Sequence, residues 1–113
     1  MEILDTQSWD QFMLSHPNAH ILQCSGWGEL KSGFGWYALR VREGECGAQI
    51  LFRRLPLGFT IAYIPKGPVG VHWQAILPQI EKVCREHRAI FLKIEPDGWE
   101  DDGVWMPQDY RAG

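Results

Sequence analysis

The sequence predicts an α/β domain built on a mixed sheet, and three observations carry that expectation. The period of apolar residues changes from 3.6 to 2 near residue 36. Three alternating segments then follow one another across short turn signals. After them, an amphipathic helix leads into a continuous apolar strand.

The first helix is expected in "SWDQFMLSHPN". Ser8 and Gln11 have the spacing of a capping box, and Trp9, Phe12 and Met13 share one face. Pro17 ends it. "SGWGELKSGFG" repeats the device, with Ser25 as N-cap and Trp27, Leu30 and Phe34 on one side. Gly33 or Gly35 supplies the left-handed stop. Lys31 follows Trp27 by four residues, so the two are neighbours on the helix surface.

"WYALRVRE" then alternates, with Tyr37, Leu39 and Val41 facing one way and Arg40 and Arg42 the other. "EGECG" reads as a hairpin turn, "AQILFRRLP" as the partner strand, and "LG" as the turn into "FTIAYIP". These three strands make an antiparallel meander. Trp73, Ile76, Leu77, Ile80, Val83 and Cys84 form the apolar stripe of a long helix. Pro78 sits inside that pattern, so the helix either kinks near Gln74 or starts later than the stripe. "RAIFLKIEPD" reads as a buried strand, joined to the meander by a right-handed parallel crossover. The tail from Gly98 has no clear period. This layout leaves a sheet edge open. We therefore expect residues 1–113 to be a single incomplete domain whose fold continues past Gly113, or whose edge a partner covers.

A net charge of −3 argues against a general binder of DNA or RNA. The distribution of charge says more. Seven Lys/Arg but only two Glu lie between Arg53 and Lys93, whereas Glu95, Asp97, Glu100, Asp101 and Asp102 crowd into eight residues. Cys24, Cys46 and Cys84 are widely spaced and odd in number, which predicts free thiols in a reducing compartment. The acidic, polar N-terminus is no signal peptide, and no apolar run approaches the ~20 residues a membrane span needs. A cytoplasmic location is expected. Six Trp are many for this length, and a groove or an interface is where some of them would pack.

His16 and His20 have an i, i+4 spacing, but Pro17 between them argues against a helical metal site, and none is expected. No nucleophile elbow, P-loop or dinucleotide fingerprint occurs. Cys84 reads as a core residue. His87 reads as a partner of the helix dipole or the last carbonyls. The strand ends carry the chemistry. Lys66 stands in "IPKGP", where Pro65 and Pro68 stiffen the backbone and Gly67 lets a ligand or another backbone come close. Glu95 ends the buried strand just before Pro96, where open sheets bind ligands, and a partly buried carboxylate there is a candidate for proton transfer.

"HILQCSGWGELKSGFGW", "RRLPLGFTIAYIPKGPV" and "AIFLKIEPD" together resemble the Fem family, the FemABX-type peptidoglycan bridge-forming aminoacyltransferases. The paired signatures are Q-x-x-x-W-x-x-x-K and Y-I-P-[KR]-G-P-V, and the resemblance runs along nearly the whole chain. It implies a GNAT-like acyltransferase fold, as the first part of the first of two tandem domains. It implies transfer of an amino acid from aminoacyl-tRNA to the stem peptide of a cell-wall precursor, lipid II or its UDP-linked form, with no cofactor. Peripheral contact with a membrane, through a lipid-linked substrate, goes with it. The family's W-x-x-x-K lysine is associated with the precursor's phosphates, and Lys31 stands there beside Trp27. An acidic residue before a proline, usually Asp, is associated with the attacking amine; Glu95 occupies that position with one more methylene. Lys66 and Gly67 complete the expected substrate-binding set.

Two other classes compete. A small acyl-CoA-dependent acetyltransferase needs a [QR]-x-x-G-x-[GA] loop opening a helix, which is missing. A non-catalytic interaction module would use an exposed sheet edge and the Trp residues. Residues 1–113 alone are expected to lack transferase activity.

Overall fold

The computed structural model describes residues 1–17 and 19–96, together with the backbone of 104–105. Its elements are β1 (Glu2–Leu4), α1 (Thr6–Leu14), α2 (Ser25–Ser32), β2 (Trp36–Glu43), β3 (Cys46–Arg54), β4 (Thr60–Pro65), α3 (Leu77–Glu86), β5 (Ala89–Glu95) and β6 (Val104–Trp105), with 3-10 turns at Ile21–Gln23, Pro56–Gly58 and Trp73–Ile76. The strands form one mixed sheet in the order β1-β2-β3-β4-β5-β6. All neighbours are antiparallel except β4 and β5, which run parallel across α3.

The meander lies where the alternation places it. Gly44, at φ 61, and Glu45 turn β2 into β3, with Glu43 opposite Cys46. Leu57 and Gly58, both at positive φ, turn β3 into β4. Two strands had no usable period. The three residues of β1 are too short to show one, yet they pair with β2 and cover its edge. The two residues of β6 do the same for β5. The rest of the acidic stretch, Asp97 to Asp102, lies outside the described residues.

Several local expectations change. The N-cap of α1 is Asp5, not Ser8: the chain leaves β1 at Leu4, and Asp5 Oδ1 accepts from the Ser8 backbone N–H at 2.7 Å. The N-cap of α2 is Cys24, and Ser25 is already helical. Gly33 is right-handed, and Gly35, at φ 88, is the residue that turns the chain. Of the two alternatives for Pro78, the later start holds. Pro78 lies in the first turn of α3, where its missing N–H costs nothing, and a 3-10 turn carries Trp73 and Ile76.

The main core lies between α3 and one face of the sheet. Ile50, Phe52, Ala62, Ile64, Leu92 and Ile94 meet Ile76, Ile80, Val83 and Cys84 there. Each large side chain buried this way contributes roughly 1.5–3 kcal/mol before entropy is counted. Cys84 is a core residue, and burial pushes its thiol up to about 12. All three cysteines are free. A second cluster joins Trp9 and Phe12 of α1 to Val69.

The opposite face is covered by α2, through polar groups. Leu30 and Phe34 are exposed, and Gly28 is the buried residue of the helix. A Cβ on Gly28 would stand 2.5 Å from Gln49 Oε1 and 2.9 Å from Arg40 Nη2. Arg40 is buried beneath the helix, donating to Gln49 Oε1 at 2.8 Å, Thr6 Oγ1 at 3.1 Å and the Ser25 carbonyl at 3.4 Å. Among the described residues, no helix is long and apolar enough to cross a membrane.

Candidate functional site

The carboxyl ends of β4 and β5 lie side by side, with Pro65 paired to Glu95. Alternation sends Ala62, Ile64, Leu92 and Ile94 into the core, so Tyr63, Lys93 and Glu95 stand on the other face, the one α2 covers. On β2 the same alternation puts Trp36 on that face, opposite Tyr37 and Leu39 in the core.

A continuous chain of contacts links the helix lysine to the strand-end carboxylate. Lys31 Nζ lies over the Trp27 ring at 5.5 Å and over the Trp36 ring at 5.3 Å. Trp36 meets Tyr63, ring centroids 6.4 Å apart. The Tyr63 hydroxyl donates a hydrogen bond to Glu95 Oε1. Lys93 Nζ stands 3.4 Å from Glu95 Oε2, and the Arg53 guanidinium lies 5.9 Å from the Trp36 ring. The Trp27 Nε1–H is buried and has no partner among the described residues.

Glu95 is tuned in one direction. The hydrogen bond from Tyr63 holds its carboxyl below the ordinary value. Partial burial works the other way, and the ammonium groups of Lys93 and Lys66 lower it further. Glu95 is therefore ionised at neutral pH. An ionised carboxylate at this strand end can accept a hydrogen bond or a proton from an amine. Two donors, the Tyr63 hydroxyl and the Lys93 ammonium, contact the carboxylate.

Lys66 lies within electrostatic reach of Glu95 and takes up φ 54, which is rare outside glycine. Its backbone is more constrained than the flanking prolines alone require. Gly67 is buried, and the group that comes close to it is the Gln23 amide: a Cβ on Gly67 would stand 2.6 Å from Gln23 Cδ.

Gln23 is fully buried. Its Nε2 donates to the carbonyls of Pro65 at 2.9 Å and Gln49 at 3.2 Å, and its Oε1 accepts from the Gln49 N–H at 2.9 Å. The β3–β4 register, continued past Leu51 and Tyr63, would set Gln49 opposite Pro65. Proline has no N–H to offer. The Gln23 amide takes the place of a peptide group there, and fixes the end of β4 from which Lys66 projects.

Of the sequence-predicted residues, Lys31 and Trp27 are joined to Glu95 through Trp36 and Tyr63, Lys66 stands beside Glu95, and Gly67 lies beneath, against Gln23. Sequence reasoning missed Trp36, Arg53, Tyr63 and Lys93. Alternation counted back from Glu95 gives Lys93, and the same period on β4 gives Tyr63, so the signal was present. His87 also differs. Its imidazole Nδ1 lies 2.9 Å from the Tyr37 hydroxyl and its ring stacks on Phe52, so it faces the sheet and not the helix carbonyls. His20 Nδ1 accepts from the Leu22 N–H, and His16 packs on Phe12.

Comparison with known proteins gives concordant results. The model of the FemAB family matches residues 4–102. A lipid II:glycine glycyltransferase of Staphylococcus haemolyticus (strain JCSC1435) is 35% identical over 112 residues, covering 89% of this chain and 27% of that protein. Its counterpart from Staphylococcus aureus is 34% identical over 120 residues, covering 96% of this chain and 28% of that protein. The chain thus spans little more than a quarter of the length of these relatives. With the family model matched along nearly its whole length, the chain belongs to the FemAB family.

Proposed function

We propose that this chain is the first part of a peptidoglycan bridge-forming transferase. It would add an amino acid, delivered by aminoacyl-tRNA, to the stem peptide of a cell-wall precursor, lipid II or its UDP-linked form. The observation that carries this reading is the unbroken contact from Lys31 through Trp36 and Tyr63 to Glu95, with Lys66 alongside. Two of the relatives are glycyltransferases acting on lipid II, which supports the precursor class. The GNAT-like reading of the fold is supported by the antiparallel strands followed by a parallel β4–β5 pair across α3.

Each group has a role in that reaction. A diphosphate needs cations, and Lys31 offers a point charge held over two indole rings. Trp27 holds that lysine in place, and Lys66 adds charge at the strand end. Gly67 shapes the site indirectly, by admitting Gln23. The neutral amine of the stem peptide attacks the ester carbonyl of the aminoacyl-tRNA. An amide bond forms, the ester C–O bond breaks, and the tRNA hydroxyl leaves with a proton. Glu95, ionised and held by Tyr63, orients the amine and stabilises the positive charge that develops on its nitrogen. Residues 1–113 alone are proposed to lack transfer activity, since they match only 27–28% of the relatives' length.

The test is Glu95→Gln in the protein that carries the whole family length. The transfer rate should fall by about 10²-fold, while precursor affinity changes less than about threefold. Equal losses in rate and affinity would show that Glu95 only binds.

A further inference from the structure

The basic stretch between Arg53 and Lys93 is not all spent on the site above. Arg53 and Arg54 are consecutive on β3, so they point to opposite faces. Arg53 lies over Trp36, while the Arg54 guanidinium lies 4.4 Å from the ring of Tyr37, on the face that packs against α3.

A groove of about 420 Å³ opens there, at the start of β4 and β5, the end of these strands opposite to Glu95. That size is within the range of small-molecule sites. Tyr37 and His87 line it; both rings pack on the buried Phe52, at 5.2 Å and 4.7 Å, and the two are hydrogen-bonded to each other. Its second cation is Arg88, 4.5 Å from the Phe59 ring. Arg88 follows the C-cap of α3 at φ 58, a position that glycine normally takes. Gly58 makes room for it, since a Cβ there would stand 3.1 Å from Arg88 Nη1.

Both guanidinium groups are exposed, and each is held on an aromatic ring. Neither forms an ion pair among the described residues. Glu86 also lines the groove without pairing to either. Arginine forks match phosphate bidentately, and a phosphate's higher charge and tetrahedral oxygens suit two guanidinium groups lining one groove. We propose that this groove binds the phosphate group of a soluble small molecule, with Arg54 and Arg88 as its two anchors. The site is separate from the one that holds Lys31 and Glu95, and it does not depend on the transferase reading.

The test is a titration of the 113-residue chain with inorganic pyrophosphate at constant ionic strength, followed by amide shifts in heteronuclear NMR. The amides of Gly58, Thr60, His87 and Arg88 should shift and saturate. In the double variant Arg54→Gln/Arg88→Gln those shifts should weaken at least tenfold, while the core amides of Ile64 and Ile94 stay in place. Arg54→Lys, which keeps the charge and loses the fork, should fall in between. Groove shifts that survive in the double variant, or pyrophosphate shifts confined to the Lys31 and Lys66 face, would overturn the proposal. In the second case the precursor site would still stand.

Discussion

Replacing Gln23 with Ala tests whether one buried amide holds the end of β4 in place. The substitution strands three buried backbone groups: the Gln49 N–H, the Gln49 carbonyl and the Pro65 carbonyl. Each costs about 1–3 kcal/mol when left without a partner, and a water entering the space would recover part of that. A loss of roughly 3–5 kcal/mol is expected. Against the roughly 5–15 kcal/mol that holds a domain folded, that brings the chain close to unfolding. Urea denaturation, followed by fluorescence of the tryptophans, reads it as a drop in midpoint at unchanged slope. Gln23→Met, which keeps the length but not the hydrogen bonds, should lose nearly as much. A loss under about 1 kcal/mol for both variants would refute the clamp.

The same clamp predicts the behaviour of Gly67. Gly67→Ala should cost roughly 1–3 kcal/mol by crowding Gln23, yet add little in the background of Gln23→Ala, where the obstacle is gone; additive losses would count against the contact. Glu95 makes a pH prediction. Its pKa is lowered on folding, so its contribution to stability is full above its ordinary value of 4.5 and is lost as pH falls through the folded value. The stability gap between wild type and Glu95→Gln, from urea melts, should be widest at pH 7 and should close on acidification below pH 4.5; a gap that does not change with pH would contradict the assigned shift.

The strands from Trp36 to Pro65 were legible because a half-buried strand writes its faces at period 2, and the strand from Ala89 to Glu95 because a short apolar run follows an amphipathic helix and stops at a proline. The start of α3 was legible as one of two options, and the tolerance of a helix's first turn for proline decided between them. The short strands β1 and β6 were not legible, because two or three residues carry no period and their pairing is set by neighbours distant in sequence. The side of α2 that docks was misleading. Leu30 and Phe34 look like a buried stripe, but Gly28 is what meets the sheet, since only a residue without a side chain fits over Arg40 and Gln49. At the site, the family resemblance gave Lys31 and the strand end before Pro96 gave Glu95, as separate candidates. Their connection through Trp36 and Tyr63 depends on strand order, which pairs β2 with β3, β3 with β4 and β4 with β5. Gln23 stood in a recognisable signature, but its role as a substitute peptide group needs the β3–β4 register to be seen.

The central claim is that the face joining Lys31 to Glu95 receives the phosphates of a cell-wall precursor. Its most direct measurement is the affinity of the 113-residue chain for a UDP-linked muropeptide, with Trp27 and Trp36 as fluorescent reporters beside Lys31. Lys31→Glu should weaken that affinity by about tenfold or more, with the wild-type affinity falling as salt is raised. An affinity unchanged by the charge reversal would contradict the account.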